Sequence, residues 1–249
     1  MLDLLPEAMT YAAAHTAELA QALRQHLSLV GLALGVAIAL CVPLGVWTSR
    51  SDAAAILFIN TSNALRVVPS LAILFLAIPT FGLSFTSAAI ALTILALPPV
   101  LINTDAAYRT ISPAIKEAAL GMGMTHWQVL RHIETPLALP VIIAGIRTAT
   151  TEVIASATLA AFIGVGGLGL FVVRGFALYD IPILLVGAVP VALLTLLADV
   201  GLGQVTSPLS TTGLRQLAAG KEEFPTVDKQ CLARDKQCRV TTRLSHDHS

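Results

Sequence analysis

Long unbroken runs of apolar residues set the character of this chain. Five of them, approximately 27–48, 54–80, 84–106, 137–161 and 181–203, reach the roughly 20 residues a helix needs to cross a hydrocarbon core about 30 Å thick. The runs are continuous and lack period-two alternation, so helices are expected and strands are not. The second run is interrupted by Arg66 and Pro69, the third carries Pro98 and Pro99, and the fifth carries Pro190. Such breaks are tolerated at membrane depth only against protein or a wet cavity, so the pattern fits a transport-type bundle better than a passive anchor. In the first run Gly31 and Gly35 form G-x-x-x-G, a spacing that permits close approach of a second helix.

The flanks read differently. Residues 1–26 set Asp3, Glu7, Glu18 and Arg24 among alanines and leucines, the pattern of an amphipathic helix lying along a membrane surface. The acidic residues stand where a secretory signal has a basic region, so this segment is expected to be retained. Residues 27–207 form the transmembrane domain, and 208–249 a polar tail expected to be disordered. Cys231, Cys238, His246 and His248 lie in that tail at a spacing that matches no standard zinc finger, so no metal is expected there, and no cofactor elsewhere.

Orientation follows from Lys and Arg placement. With the 107–136 loop cytoplasmic, Arg50, Arg109, Lys116, Arg131 and the tail cations Arg215, Lys221, Lys229, Arg234, Lys236, Arg239 and Arg243 all fall inside, and only Arg24 and Arg174 fall outside. Five spans then put the amino terminus outside and the carboxyl terminus in the cytoplasm.

Composition agrees. The chain is 55% hydrophobic and 12% charged, with mean hydropathy +0.79; so few charges leave most of the surface for lipid to cover. Net charge is zero, and no basic stripe with interleaved aromatics suggests nucleic acid.

The 107–136 loop carries the most information. Pro113 after Ser112 suits a first helical turn, Gly121 and Gly123 allow the backbone to reverse, and Thr125 with Gln128 has capping-box spacing. The product is two short helices between membrane spans. The order Glu117-Ala118-Ala119, Gly123, Ile133 and Pro136 resembles the EAA signature of ABC-importer permeases, with Thr135 in place of the usual Leu. "NALRVVPSLAILFLAIP", "LPVIIAGIRTATTEVIASATLAAFIGVGGLGLFVVRG" and "GAVPVALL" extend the likeness over roughly 27–205, toward the osmoprotectant branch, whose members import glycine betaine, choline, carnitine, proline betaine and related quaternary amines. Within it Arg66 stands where many relatives have Gln.

The resemblance implies an all-α polytopic membrane protein: five transmembrane helices of the type I ABC importer permease fold, in a bacterial inner membrane. It implies a non-catalytic subunit whose coupling loop, through Glu117, Ala118, Ala119 and Gly123, docks on a cytoplasmic ABC ATPase dimer. Its other partners are a second permease subunit, identical or related, an external substrate-binding protein and membrane lipid. Glu117 is expected to fix the loop by a charge-assisted hydrogen bond. Importers of methionine or another small solute share this plan. An ion-coupled secondary transporter and a polytopic membrane enzyme are the readings from other classes; no internal repeat favours the first, and no catalytic set favours the second.

Two features remain, one between spans and one within them. Gly164, Gly166 and Gly169 spell G-x-G-x-x-G, yet a membrane helix precedes them and no acidic residue follows about 20 positions on, so a dinucleotide site is excluded. With Gly167 they are expected to form an external re-entrant turn, either a gate at the outer mouth or a tight turn without that role. Arg66, Arg147 and Glu152 put charge within spans, where it is functional by default. With Asn63, Ser70 and Thr151 they are candidates for the translocation pathway, the alternative being a structural or inter-subunit polar network. At 5% aromatic no aromatic cage for a quaternary ammonium is visible, which leaves high-affinity capture to the external binding protein.

Overall fold

The computed structural model describes residues 4–222, all helix and connecting turns, with no strand among them. Asp3 and tail residues 223–249, with Cys231, Cys238, His246 and His248, lie outside the described residues, as do the side chains of Arg215 and Lys221. The chain divides into two compact units, Met1–Thr206 and Ser207–Ser249; the bundle described below is the first.

The helices are α1 (Leu4–Ala14), α2 (Thr16–Thr48), α3 (Asp52–Val67), α4 (Ser70–Phe81), α5 (Phe85–Arg109), α6 (Pro113–Gly121), α7 (His126–Val129), α8 (Thr135–Ala157), α9 (Gly169–Leu178) and α10 (Ile181–Glu222). A π-helical turn, Leu130–Glu134, joins α7 to α8, and a 3-10 turn, Thr158–Ile163, follows α8. Four spans are continuous helices long and apolar enough to cross a membrane, and the bent pair α3/α4 makes a fifth when counted as one broken span.

Three differences from the expected boundaries stand out. The segment 1–26 is not one helix: it breaks at His15, and everything from Thr16 belongs to the 33-residue α2, about 50 Å long at 1.5 Å per residue. The second span is broken, with α3 and α4 bent by 100°. Pro69 forces Val68 into an extended conformation, φ −74° and ψ 124°, because the residue before proline is sterically barred from the helical region. The third difference is that α10 runs on to Glu222, past position 208.

The core is built on small side chains. Ala33 and Ala37 of α2, Ala88 and Ala96 of α5 and Ala138 and Ala149 of α8 are completely buried, which lets these helices approach closely. Gly45 lies so near α5 that a Cβ there would fall 2.6 Å from the Thr104 Cβ, and one at Gly145 would fall 2.5 Å from the Asn103 Cβ. Gly31 and Gly35, the pair at G-x-x-x-G spacing, instead face open space. Leu32, Leu40, Ile56, Leu57, Leu193 and Leu197 stay exposed on the bundle surface, as lipid contact requires.

Candidate functional site: the loop end, a lateral cavity and a glycine turn

At the loop end, α6 starts at Pro113 and α7 is closed by the expected capping box: the Thr125 N–H donates to Gln128 Oε1 at 2.8 Å, and the Gln128 N–H to Thr125 Oγ1 at 3.3 Å. Gly123, at φ +86°, supplies the left-handed turn between the two helices, a conformation only glycine enters without strain. Ile115, Leu120, Met122 and Trp127 are exposed on this projection. The EAA residues divide. Glu117 and Ala118 are exposed, whereas Ala119 is buried. Glu117 makes no hydrogen bond or ion pair with the described residues, so the carboxylate that fixes the loop is a different one.

That carboxylate is Glu134, which the sequence reading did not single out. It is 1% exposed at the end of the π-helical turn. Its Oε1 receives Lys116 Nζ of α6 at 3.1 Å, and its Oε2 receives Arg50 from the turn between α2 and α3. Thr135, the departure from the usual Leu, is explained nearby. Its N–H and its hydroxyl both reach the Leu130 carbonyl, the hydroxyl at 2.8 Å, and the same hydroxyl lies 3.1 Å from the Tyr108 hydroxyl. A π turn leaves carbonyls out of the ordinary ladder, and the threonine satisfies one of them. Arg109 completes this end, donating to Asp105 at 2.9 Å, Asp52 at 2.9 Å and the Thr48 carbonyl at 2.8 Å.

The six pathway candidates fall into separate groups. Asn63 and Arg66 are exposed at the end of α3, with Ser70 half-buried at the start of α4; neither Asn63 nor Arg66 has a side-chain partner among the described residues. Arg147, Thr151 and Glu152 are half-buried on α8. Arg147 is bound to Asp199 of α10 through Nε–Oδ1 and Nη2–Oδ2, both 2.6 Å. Beside this pair α8, α9 and α10 border a cavity of about 670 Å³ lined by Thr151, Thr158, Val172, Thr195, Leu196 and Asp199 among others. No aromatic ring lines it. Glu152 is not bonded to Arg147, and its Oε2 is buried with no partner among the described residues.

At the other end of α8 lies the glycine turn. Gly164, Gly166 and Gly167 have φ of +76°, +84° and +78°. The Gly167 N–H donates to Gln25 Oε1 of α2 at 3.2 Å. Gly169 opens α9 where a Cβ would lie 2.0 Å from the Thr158 carbonyl oxygen. Gln25 and the buried His26 thus form the seat for this turn. Their role escaped the sequence reading because about 140 residues separate them from it.

A bundle of four continuous spans and one bent helix pair, with a capped two-helix loop between α5 and α8, matches a known family. The binding-protein-dependent transport system inner membrane components match residues 22–206. This chain belongs to that family. Among its relatives, the permease is 42% identical over 200 residues to the carnitine transport permease protein OpuCB of Listeria monocytogenes, covering 80% of this chain and 91% of the relative. It is 40% identical over 196 residues to the osmoprotectant import permease protein OsmW of Salmonella typhimurium, covering 77% and 91%. The permease also superimposes on a chain of the MetNI methionine ABC transporter in an inward-facing conformation, with TM-score 0.69 over 78% of this chain and 97% of that one. At 20% identity, that likeness shows the type I importer fold alone.

Proposed function

We propose that this permease is the membrane-spanning subunit of an ATP-driven importer for osmoprotectants of the quaternary-amine class, such as carnitine, choline and glycine betaine. The observation that carries the reading is the loop. A capped, glycine-turned pair of short helices, anchored at its base by a buried carboxylate, presents Ile115, Leu120, Met122 and Trp127. Such a surface suits a groove in a separate ATPase, with Glu117, Ala118 and Gly123 at its edge and Ala119 supporting it from beneath. The substrate class rests on the two permeases that share about four residues in ten with this chain.

In this reading the loop end is cytoplasmic, the amino terminus is outside, and two permease subunits, identical or related, pair around the pathway above an ATPase dimer. The cavity beside Arg147–Asp199 borders the pathway, with Thr151 in its wall. Its lining of aliphatic and hydroxyl groups, with the Asp199 carboxylate already held by Arg147, offers a quaternary ammonium no cation–π contact, which assigns tight capture to an external binding protein. The Gly164–Gly169 turn, seated on Gln25, closes the outer mouth.

The test is uptake of labelled carnitine and choline by bacteria lacking their own betaine uptake and expressing the permease with its ATPase and binding protein. Energy-dependent uptake, lost in Gly123→Arg with the protein still in the membrane, is the expected result. A stably co-purifying ATPase without uptake of either solute discards the substrate class and keeps the importer.

A further inference from the structure

We infer that the Glu134 carboxylate is a positioning group that passes movement of the α6–α7 loop to the α2–α3 turn, and that its loss uncouples ATP hydrolysis from solute transfer. The inference rests on the coupling-loop reading above. Glu134 is 1% exposed, whereas its partners Arg50 and Lys116 are 45% and 28% exposed. A buried carboxylate is tolerated only when opposite charges and hydrogen bonds surround it, so both cations are tied to this site. The two ties use different oxygens, Oε1 for Lys116 and Oε2 for Arg50. Lys116 immediately precedes Glu117 in α6 and Arg50 immediately precedes the N-cap of α3, so the carboxylate cannot follow one cation without drawing on the other.

Among the described residues no other hydrogen bond or ion pair joins the loop directly to the turn; Lys116 also donates to the Tyr108 carbonyl at 3.5 Å, a long bond that ends on α5. Apolar packing at the loop's base joins Tyr108 and Ile111 to Ala138 and Ile142, and reaches α2 only at Val42 and Val46, short of the turn. The turn is held from its other side by Arg109 of α5, through Asp52 and the Thr48 carbonyl. It therefore sits between a clamp from α5 and a tie from the loop. What it leads into is α3, whose far end carries Asn63 and Arg66 at the 100° break. The carboxylate stands on a π-helical turn, an element frequent at functional sites.

The experiment compares Glu134→Gln with wild type in the complete transporter, reconstituted in liposomes with its ATPase and binding protein, reading ATP hydrolysis and labelled carnitine uptake together. The expected result is an ATPase that still co-purifies and hydrolyses at near the wild-type rate, while carnitine moved per ATP falls about tenfold, the weight of one lost charge-assisted hydrogen bond. Arg50→Met and Lys116→Met each remove one tie at a partly exposed side chain, so they answer the same question if Glu134→Gln does not fold. Uptake and hydrolysis that fall in proportion, or that both stay unchanged, overturn the relay. So does an ATPase that no longer binds Glu134→Gln but binds wild type, because Glu134 would then shape only the docking surface. If wild type itself captures no ATPase, the coupling-loop reading fails first and the relay with it.

Discussion

Arg147 of α8 grips Asp199 of α10 with two parallel hydrogen bonds of 2.6 Å, across 52 residues of sequence. Asp199 lies in the wall of the lateral cavity, and both members of the pair are only partly exposed. Removing one member leaves the other charge unpaired within a span, which costs more than removing both. Arg147→Met and Asp199→Asn are each expected to lower uptake and melting temperature more than the double variant does. A double-mutant cycle on both quantities, with membrane-inserted protein as the reference, measures the coupling. An Arg147→Ala protein that assembles and transports at the wild-type rate refutes the pathway role.

The glycines of α2, α5 and α8 make a contrast that thermal unfolding in detergent will register. A Cβ at Gly145 meets the Asn103 Cβ at 2.5 Å and the Pro99 carbonyl oxygen at 2.9 Å. The backbone oxygen cannot rotate away, so Gly145→Ala is expected to cost about 1–3 kcal/mol, as overpacking does. Gly31→Ala and Gly35→Ala, with open space around them, are expected to leave the melting temperature within a degree or two.

This contrast also marks how much of the molecule was legible beforehand. Apolar run length exposed the spans, and Thr125 with Gln128 exposed the α7 start, because both are local properties. The G-x-x-x-G spacing says that a helix can approach, and no helix of this chain does so among the described residues. Pro69 announced a break in the second span but not its 100° angle, which depends on what α3 and α4 pack against. Glu134 and Gln25 were passed over for a shared reason: Arg50 lies 84 residues from the first and Gly167 142 from the second, as Arg147 lies 52 from Asp199, and no periodicity reports such a distance. One signal was available for Glu134. It is a lone acid where a loop enters an apolar run, and Arg50 and Lys116 stand in loops placed by charge counting on the same side.

Gly123 separates backbone from surface. At φ +86° with free space around it, the position excludes most side chains by conformation and not by crowding. Asn enters this region more readily than other residues, and the left-handed conformation costs others about 1–2 kcal/mol. Gly123→Asn is therefore expected to keep most ATPase co-purification, Gly123→Val to lose most of it, and Gly123→Arg to lose it altogether. Equal capture by all three removes Gly123 from the docking surface.

The glycine turn yields the sharpest steric expectation. Gly164 and Gly169 both belong to the fingerprint-like run, yet they answer to different constraints. At Gly164 the backbone is left-handed and the space is open, so alanine is strained by conformation alone, at about 1–2 kcal/mol. At Gly169 no positive φ is involved, but a Cβ would lie 2.0 Å from the Thr158 carbonyl oxygen and 2.7 Å from its carbonyl carbon. Two backbone segments would have to part, which unseats α9 from the end of α8 and shifts the turn that Gln25 holds. Gly169→Ala is expected to lower the melting temperature more than Gly164→Ala and to reduce uptake even where inserted protein is matched. If the turn closes the outer mouth, Gln25→Ala, which removes only its hydrogen bond to the Gly167 N–H, should raise uncoupled solute leak from liposomes with little change in melting temperature. Wild-type leak in Gln25→Ala, with Gly169→Ala merely destabilised, reduces the run to a tight turn with no part in gating.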